Sequence, residues 1–197
     1  MIDLDAPSLD VAPCLLGCLL SHNGVTLRIT EVEAYGGTTD PAAHAFIGPR
    51  PRTRDLFGPP GTLYCYLSHG LHICGNIVCG RTGEGEAVLL RAAEVVHGRE
   101  RARSLRPGVA DVALARGPGN LGRAIGWTLA DSGGRLGAGG LDLASPAEPV
   151  APDRVASGPR VGVSVAWQRP WRFWIAADPS VSAYRRSPRA VSGDRAW

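Results

Sequence analysis

The sequence predicts an α+β fold: a single domain with a curved, mostly antiparallel sheet flanked by helices. Three observations carry this. The chain has 197 residues, which suits one domain, or two very small ones, with a real core. Its strand-like segments come in runs rather than in regular βαβ alternation, the order expected of antiparallel pairing. No internal repeat or linker divides it, so residues 1–197 are expected to form one unit, with 184–197 as a flexible basic tail.

The elements follow in order. Ser8 to Leu20 reads as a helix, because Leu9, Leu15, Leu16 and Leu19 lie near one face. Thr26 to Tyr35 alternates and reads as a strand. Gly36 to Pro60, rich in Gly, Pro and Arg, reads as a loop longer than a compact domain keeps without a functional reason. Thr62 to Ser68, Leu71 to Cys79 and Ala87 to Ala92 read as strands, with a turn over Gly80 to Gly85. Glu94 to Leu105 reads as a helix. Gly117-Pro118-Gly119-Asn120 precedes a short helix, and Gly133 to Gly140 reads as a flexible loop. Arg160 to Ala166 and Arg172 to Ala176 read as a closing pair of strands. The tail from Tyr184 reads as a frayed terminus.

Composition excludes some chemistry. All 21 basic side chains are Arg. Without Lys there is no P-loop lysine, no pyridoxal Schiff base and no lysine nucleophile. Apolar runs stay far below the ~18 residues of a membrane span. The acidic N-terminus lacks a signal core, and the 5 Cys lack framework spacing, so a cytoplasmic protein with reduced thiols is expected. No Cys-x-x-Cys pair or His-Glu-x-x-His helix suggests a metal site. Residues 101–197 hold 14 Arg against 7 acids, whereas residues 1–100 hold 7 Arg against 11 acids. That asymmetry permits a polyanion partner.

Several residues are candidates for chemistry. Glu31, Glu33 and Tyr35 share a strand face, read here as the face that also carries Leu27 and Ile29. Carboxylates on an apolar face are costly unless paired or at a cleft; the same spacing also fits the solvent face of an edge strand. His44 lies in the long loop. Arg52 and Arg54 follow it, and either grip phosphates or are simply solvated. Tyr64 and Tyr66 share one face, as a core pair or a recessed wall. Asn76 and Arg91 sit among apolar neighbours and need partners or a cavity. Gly117-Pro118-Gly119-Asn120 is either a plain turn or a phosphate site at a helix start.

These segments together resemble the alkyladenine (3-methyladenine) DNA glycosylase family. The matching pieces run in order from Leu15-Leu16-Gly17 through Glu31-Val32-Glu33-Ala34-Tyr35, Asp40 with Ala43-His44, and Arg52-Thr53-Arg54 with Phe57. They continue with Pro60 to Tyr66, Cys74-Gly75-Asn76, Ala87 to Ala92 and Gly117-Pro118-Gly119. They end with Pro159 to Val163 and Trp171-Arg172-Phe173. Each is weak alone; order and spacing make the match specific.

The resemblance implies a monofunctional glycosylase that flips a damaged purine from duplex DNA and hydrolyses its N-glycosidic bond. Glu33 then matches the water-activating acid and Arg91 the residue that helps hold the water. Tyr35, His44 and Tyr66 match the walls around the flipped base, and backbone groups near Ala43 and His44 would read its edge. Asn76 matches the residue that crowds out the guanine amino group. His69 stands where relatives carry a wedge tyrosine, so insertion is expected from His69 or in part from Leu71 or His72. Asn120 stands where many relatives carry a basic residue. The expected partner is double-stranded DNA with a damaged purine, bound by a monomer without cofactor, metal or membrane. Hypoxanthine, 3-methyladenine, 7-methylguanine and etheno-adenine all suit such a pocket. A non-catalytic damaged-DNA or RNA binding module is the alternative; it would have no use for Glu33.

Overall fold

A computed structural model describes residues 2–190. Helix α1 spans Ser8–Cys14 and stops short of the Leu20 that leucine spacing suggests. Pro13 removes an N–H from its last turn. Gly17 then turns at φ +81°, and its N–H donates to the Ile29 carbonyl at 2.8 Å. Leu19 and Leu20 therefore enter strand β1, Leu19–His22. Asn23 and Gly24, both at positive φ, close a tight hairpin into β2, Val25–Tyr35.

β2 is the hub. β5, Glu86–His97, pairs along one edge, and β1 and β9, Arg172–Ile175, share the other. β3, Leu63–Ser68, and β4, His72–Cys79, form a hairpin that joins β5. Short strands β6, Ala115–Arg116, β7, Asp142–Ala144, and β8, Val155–Gly158, pair with β5, β1 and β9. Among the described residues the result is one curled antiparallel sheet of nine strands, flanked by three helices: an α+β arrangement.

The β2–β5 pairing shifts register three times: once near its end, where Val96 on β5 is skipped, and twice at its centre, where Thr30 on β2 and Arg91 on β5 are skipped. Each of the two central skips reverses the side-chain alternation of its strand. Along β2 the main core takes Leu27 and Ile29, then Val32 and Ala34; along β5 it takes Val88 and Leu90, then Ala93 and Val95. Glu31, Glu33 and Tyr35 thus lie opposite the core, not beside Leu27 and Ile29 as strict alternation requires. The solvent-face alternative also fails, because β2 is central and both glutamates have 0% exposure.

The main core lies between this sheet and helices α1 and α3, Pro118–Ile125, with Val11, Leu121 and Ile125 buried in it. A smaller cluster joins Ala45 and Leu56, from two single-turn 3-10 helices of the long loop, to Tyr64, Val78 and Ala87 of the sheet.

Two other expectations change. The helix expected from Glu94 begins at Arg99: α2 is Arg99–Leu105. Glu94 to His97 extend β5 instead, because Val95 pairs with Leu27 and Arg28 Nη2 donates to Glu94 Oε2 at 2.7 Å. Gly98, at φ +72°, makes the corner. Arg160–Ala166 forms no strand, since Gly162 and Ala166 turn at positive φ; β8, just before Pro159, pairs with β9 in its place. The Gly133 to Gly140 segment has no regular element, yet Gly133 N–H donates to the Leu63 carbonyl at 2.8 Å along β3. Of the tail, 184–190 are described and 191–197 lie outside the described residues. Among the described residues no helix is long and apolar enough to cross a membrane.

Candidate active site

The sheet face opposite the main core opens into a cleft of about 610 Å³. Tyr35 from β2, Tyr66 from β3, Asn76 from β4 and Arg91 from β5 reach it from adjacent strands. Ala43 and His44 close it from the long loop, and His69 stands at the rim. Helix α3 adds Gly117 to Asn120. It can approach because Gly119 has no side chain; a Cβ there would meet His72 at 2.6 Å.

Glu33 is not part of the lining. It is fully buried just behind it, tied to three groups that do line the cleft. Tyr35 Oη donates to Glu33 Oε2 at 2.9 Å. The Val161 N–H donates to Oε1 at 2.7 Å, and Arg91 Nη1 lies 3.2 Å from Oε1. Oε2 therefore keeps lone-pair capacity for one more donor. Burial, reinforced by the Glu33 charge, pushes the Tyr35 pKa well up, so its hydroxyl stays a donor. Burial alone would lower the Arg91 pKa, but Glu33 and Glu31 outweigh it and raise it. Arg91 is a fixed cation beneath the cleft.

The aromatic walls constrain each other. His44 and Tyr66 meet edge-on with centroids 4.6 Å apart. Tyr64 stacks on Tyr66 at 5.8 Å, and its hydroxyl lies 3.2 Å from His44 Nδ1. Burial lowers the His44 pKa and the nearby Arg52 charge lowers it further, so the ring is neutral at pH 7. The Asn76 Nδ2 donates to the Tyr64 carbonyl at 3.3 Å, which fixes the amide at the cleft wall.

Of the remaining candidates His69 touches the cleft lining, whereas Arg52, Arg54 and Leu71 lie outside it. Arg52 and Arg54 are exposed. At the β3–β4 turn His69 has φ +50°, and its Nδ1 lies 3.0 Å from Ser68 Oγ. Leu71 is 78% exposed at the same tip.

Sequence reasoning missed several parts. Val161 acts through its backbone, which leaves no side-chain signal. Arg160 and Asp40 form a fully buried bidentate pair that ties the long loop to β2, since Arg160 Nη1 also donates to the Ala34 carbonyl at 3.1 Å. Arg160 lies 4.6 Å from the Tyr35 ring centroid, behind the wall. Both residues belong to matching segments, but only folding joins them.

The model of the family described as Methylpurine-DNA glycosylase (MPG) matches residues 3–179. A protein of Frankia casuarinae is 49% identical, covering 94% of this chain and 93% of its own length. One of Cutibacterium acnes is 50% identical, covering 94% of this chain and 100% of its own length. One of Mycobacterium tuberculosis is 50% identical over 89% of each chain. Their names present all three as presumed 3-methyladenine DNA glycosylases. With a family match over nearly the whole chain and these relatives, the chain belongs to the methylpurine-DNA glycosylase family.

Proposed function

We propose that the protein is a monofunctional DNA glycosylase, a hydrolase that starts base excision repair of alkylated or deaminated purines. It acts as a cytoplasmic monomer on double-stranded DNA. The observation that carries this reading is Glu33, a buried carboxylate held one layer behind an aromatic cleft by Tyr35, Val161 and Arg91.

The chemistry follows from these positions. A flipped purine loses its stacking and needs ring faces to replace it. Tyr35, His44 and Tyr66 supply them. An alkylated purine such as 3-methyladenine is cationic; electron-rich rings attract it, and a neutral His44 adds no like charge. Such a base is already a good leaving group. The remaining task is to aim a water at the sugar carbon. The spare acceptor capacity of Glu33 takes one water proton, and its charge stabilises the developing sugar cation. Arg91 holds the carboxylate in place. Asn76 opposes the amino group of an undamaged guanine. The chain has no lysine amine for a lyase step.

The test is release of free purine from duplexes carrying hypoxanthine, 3-methyladenine, 7-methylguanine or etheno-adenine. The reading expects free base and an intact abasic strand until heat or alkali cleaves it. No base release from any of the four would overturn it.

A further inference from the structure

The cation-rich half of the chain ends in a segment that the cleft chemistry leaves unused. After Asp178 no acid occurs until Asp194, while Arg185, Arg186 and Arg189 all fall between them. All three are exposed. None has a carboxylate partner among the described residues, whereas Arg28 and Arg103 are paired with acids.

This segment is anchored at Ser182 and again at Arg185 and Arg186. Ser182 N–H donates to Glu31 Oε2 at 2.7 Å, and its hydroxyl to Oε1 at 2.9 Å. Arg172 Nη2 donates to the Ser182 carbonyl at 3.0 Å. Further on, the Gly162 N–H donates to the Arg185 carbonyl at 3.3 Å. Arg186 lies over the Trp167 ring, 3.9 Å from its centroid. Gly162 belongs to the cleft lining, so the segment passes beside the cleft at Arg185.

We propose that Ser182–Arg189 is a phosphate-binding strap, which grips the DNA backbone next to the nucleotide presented to the cleft. It rests on the reading of the cleft as a DNA glycosylase site, and charge selects the partner. Guanidinium groups bind phosphates through paired N–H donors, and a cation already stacked on a ring has lost part of its freedom before binding. The strap adds affinity without reading sequence, as backbone contacts do.

The test is binding of an undamaged 20-base-pair duplex by anisotropy, between 50 and 200 mM NaCl, for the whole chain and for an Arg185→Gln/Arg186→Gln/Arg189→Gln variant. Gln keeps a planar end group over Trp167 but carries no charge. Each lost phosphate contact lowers the slope of log affinity against log salt by roughly 0.9, so the triple variant is expected to lose about 2 to 3 from the slope. Arg101→Gln is the control. Arg101 packs near Gly24, by the far end of β2 from Tyr35, and is expected to change the slope far less. A triple variant with wild-type slope and affinity overturns the strap. So does a wild-type chain whose duplex binding ignores salt. The two readings fail separately. Salt-sensitive, strap-dependent binding without base release keeps the strap and sinks the glycosylase. Base release with an unaltered triple variant does the reverse.

Discussion

Glu31 and Glu33 stand two residues apart on β2, and both are fully buried. Their surroundings differ. The Glu31 carboxylate receives Nε of Arg91 at 2.8 Å, Nε of Arg172 at 2.7 Å, and two bonds from Ser182. Burial alone would raise its pKa, but Arg91 and Arg172 outweigh burial and hold it below the ordinary value. Apart from Arg91, the groups on it lie outside the cleft lining, and it welds β2, β5, β9 and the C-terminal segment together. The groups on Glu33 instead line the cleft or, in Arg91, span both sites. The residue type is the same; what each carboxylate can do is set by the strands across from it.

Arg91 bridges the two sites, so its removal is expected to have the largest combined effect. Arg91→Met leaves buried carboxylates short of a cation. A cost of about 3–5 kcal/mol is expected, read as a lower urea midpoint, together with loss of base release. A variant as stable as the parent would separate the two sites.

Glu31→Gln is expected to cost about 1.5–3 kcal/mol, the range for hydrogen bonds to charged groups. Its pH dependence has a definite sign. The Glu31 pKa is lower folded than unfolded, so its contribution is complete above the unfolded value of about 4.3. It fades as pH falls through the lower folded value. Urea midpoints between pH 3 and 7 are expected to drop toward acid in the parent and to drop less in Glu31→Gln. Parallel curves would mean that Glu31 does not carry the linkage.

Much of this comparison is legible in the sequence, and part is not. The Glu-Val-Glu-Ala-Tyr spacing puts Glu33 and Tyr35 on one face, and the hydrogen bond between them agrees. The β3 and β4 segments are each read to within one residue, because alternation and Gly70 bound them. The face itself is not legible. The skipped Thr30 and Arg91 reverse the alternation, and a bulge depends on the partner strand rather than on local pattern. The last residues of β5 depart from their local pattern for the same kind of reason. Glu94 looks helical alone, yet its ion pair with Arg28 on the neighbouring strand keeps it extended. The Arg160–Asp40 pair joins residues far apart in the chain, which local spacing cannot reveal.

Smaller effects sharpen the recognition side. Asn76→Ser shortens the amide that faces the cleft, so release of undamaged guanine relative to hypoxanthine is expected to rise severalfold. An unchanged ratio would leave Asn76 with only its bond to the Tyr64 carbonyl. At the hairpin tip, His69→Ala and Leu71→Ala are each expected to weaken base flipping a few fold, measured by fluorescence of an adenine analogue in the duplex. Since Leu71 is 78% exposed and apolar and wedges that enter the stack are usually apolar, the effect of its truncation is expected to be the larger of the two. Equal binding and flipping in both variants would move the wedge elsewhere.

The most direct measurement is the single-turnover rate of purine release by Glu33→Gln, beside Glu31→Gln, at a temperature where urea unfolding shows both folded. Glu33→Gln keeps the side-chain shape but cannot take a proton from water. It is expected to bind the damaged duplex like the parent and to release base at least about a thousandfold more slowly, within the range general-base loss produces. Glu31→Gln is expected to remain at least about a hundredfold faster than Glu33→Gln, with its loss concentrated in stability. A Glu33→Gln rate within tenfold of the parent, or equal rate losses in the two variants, would contradict the account.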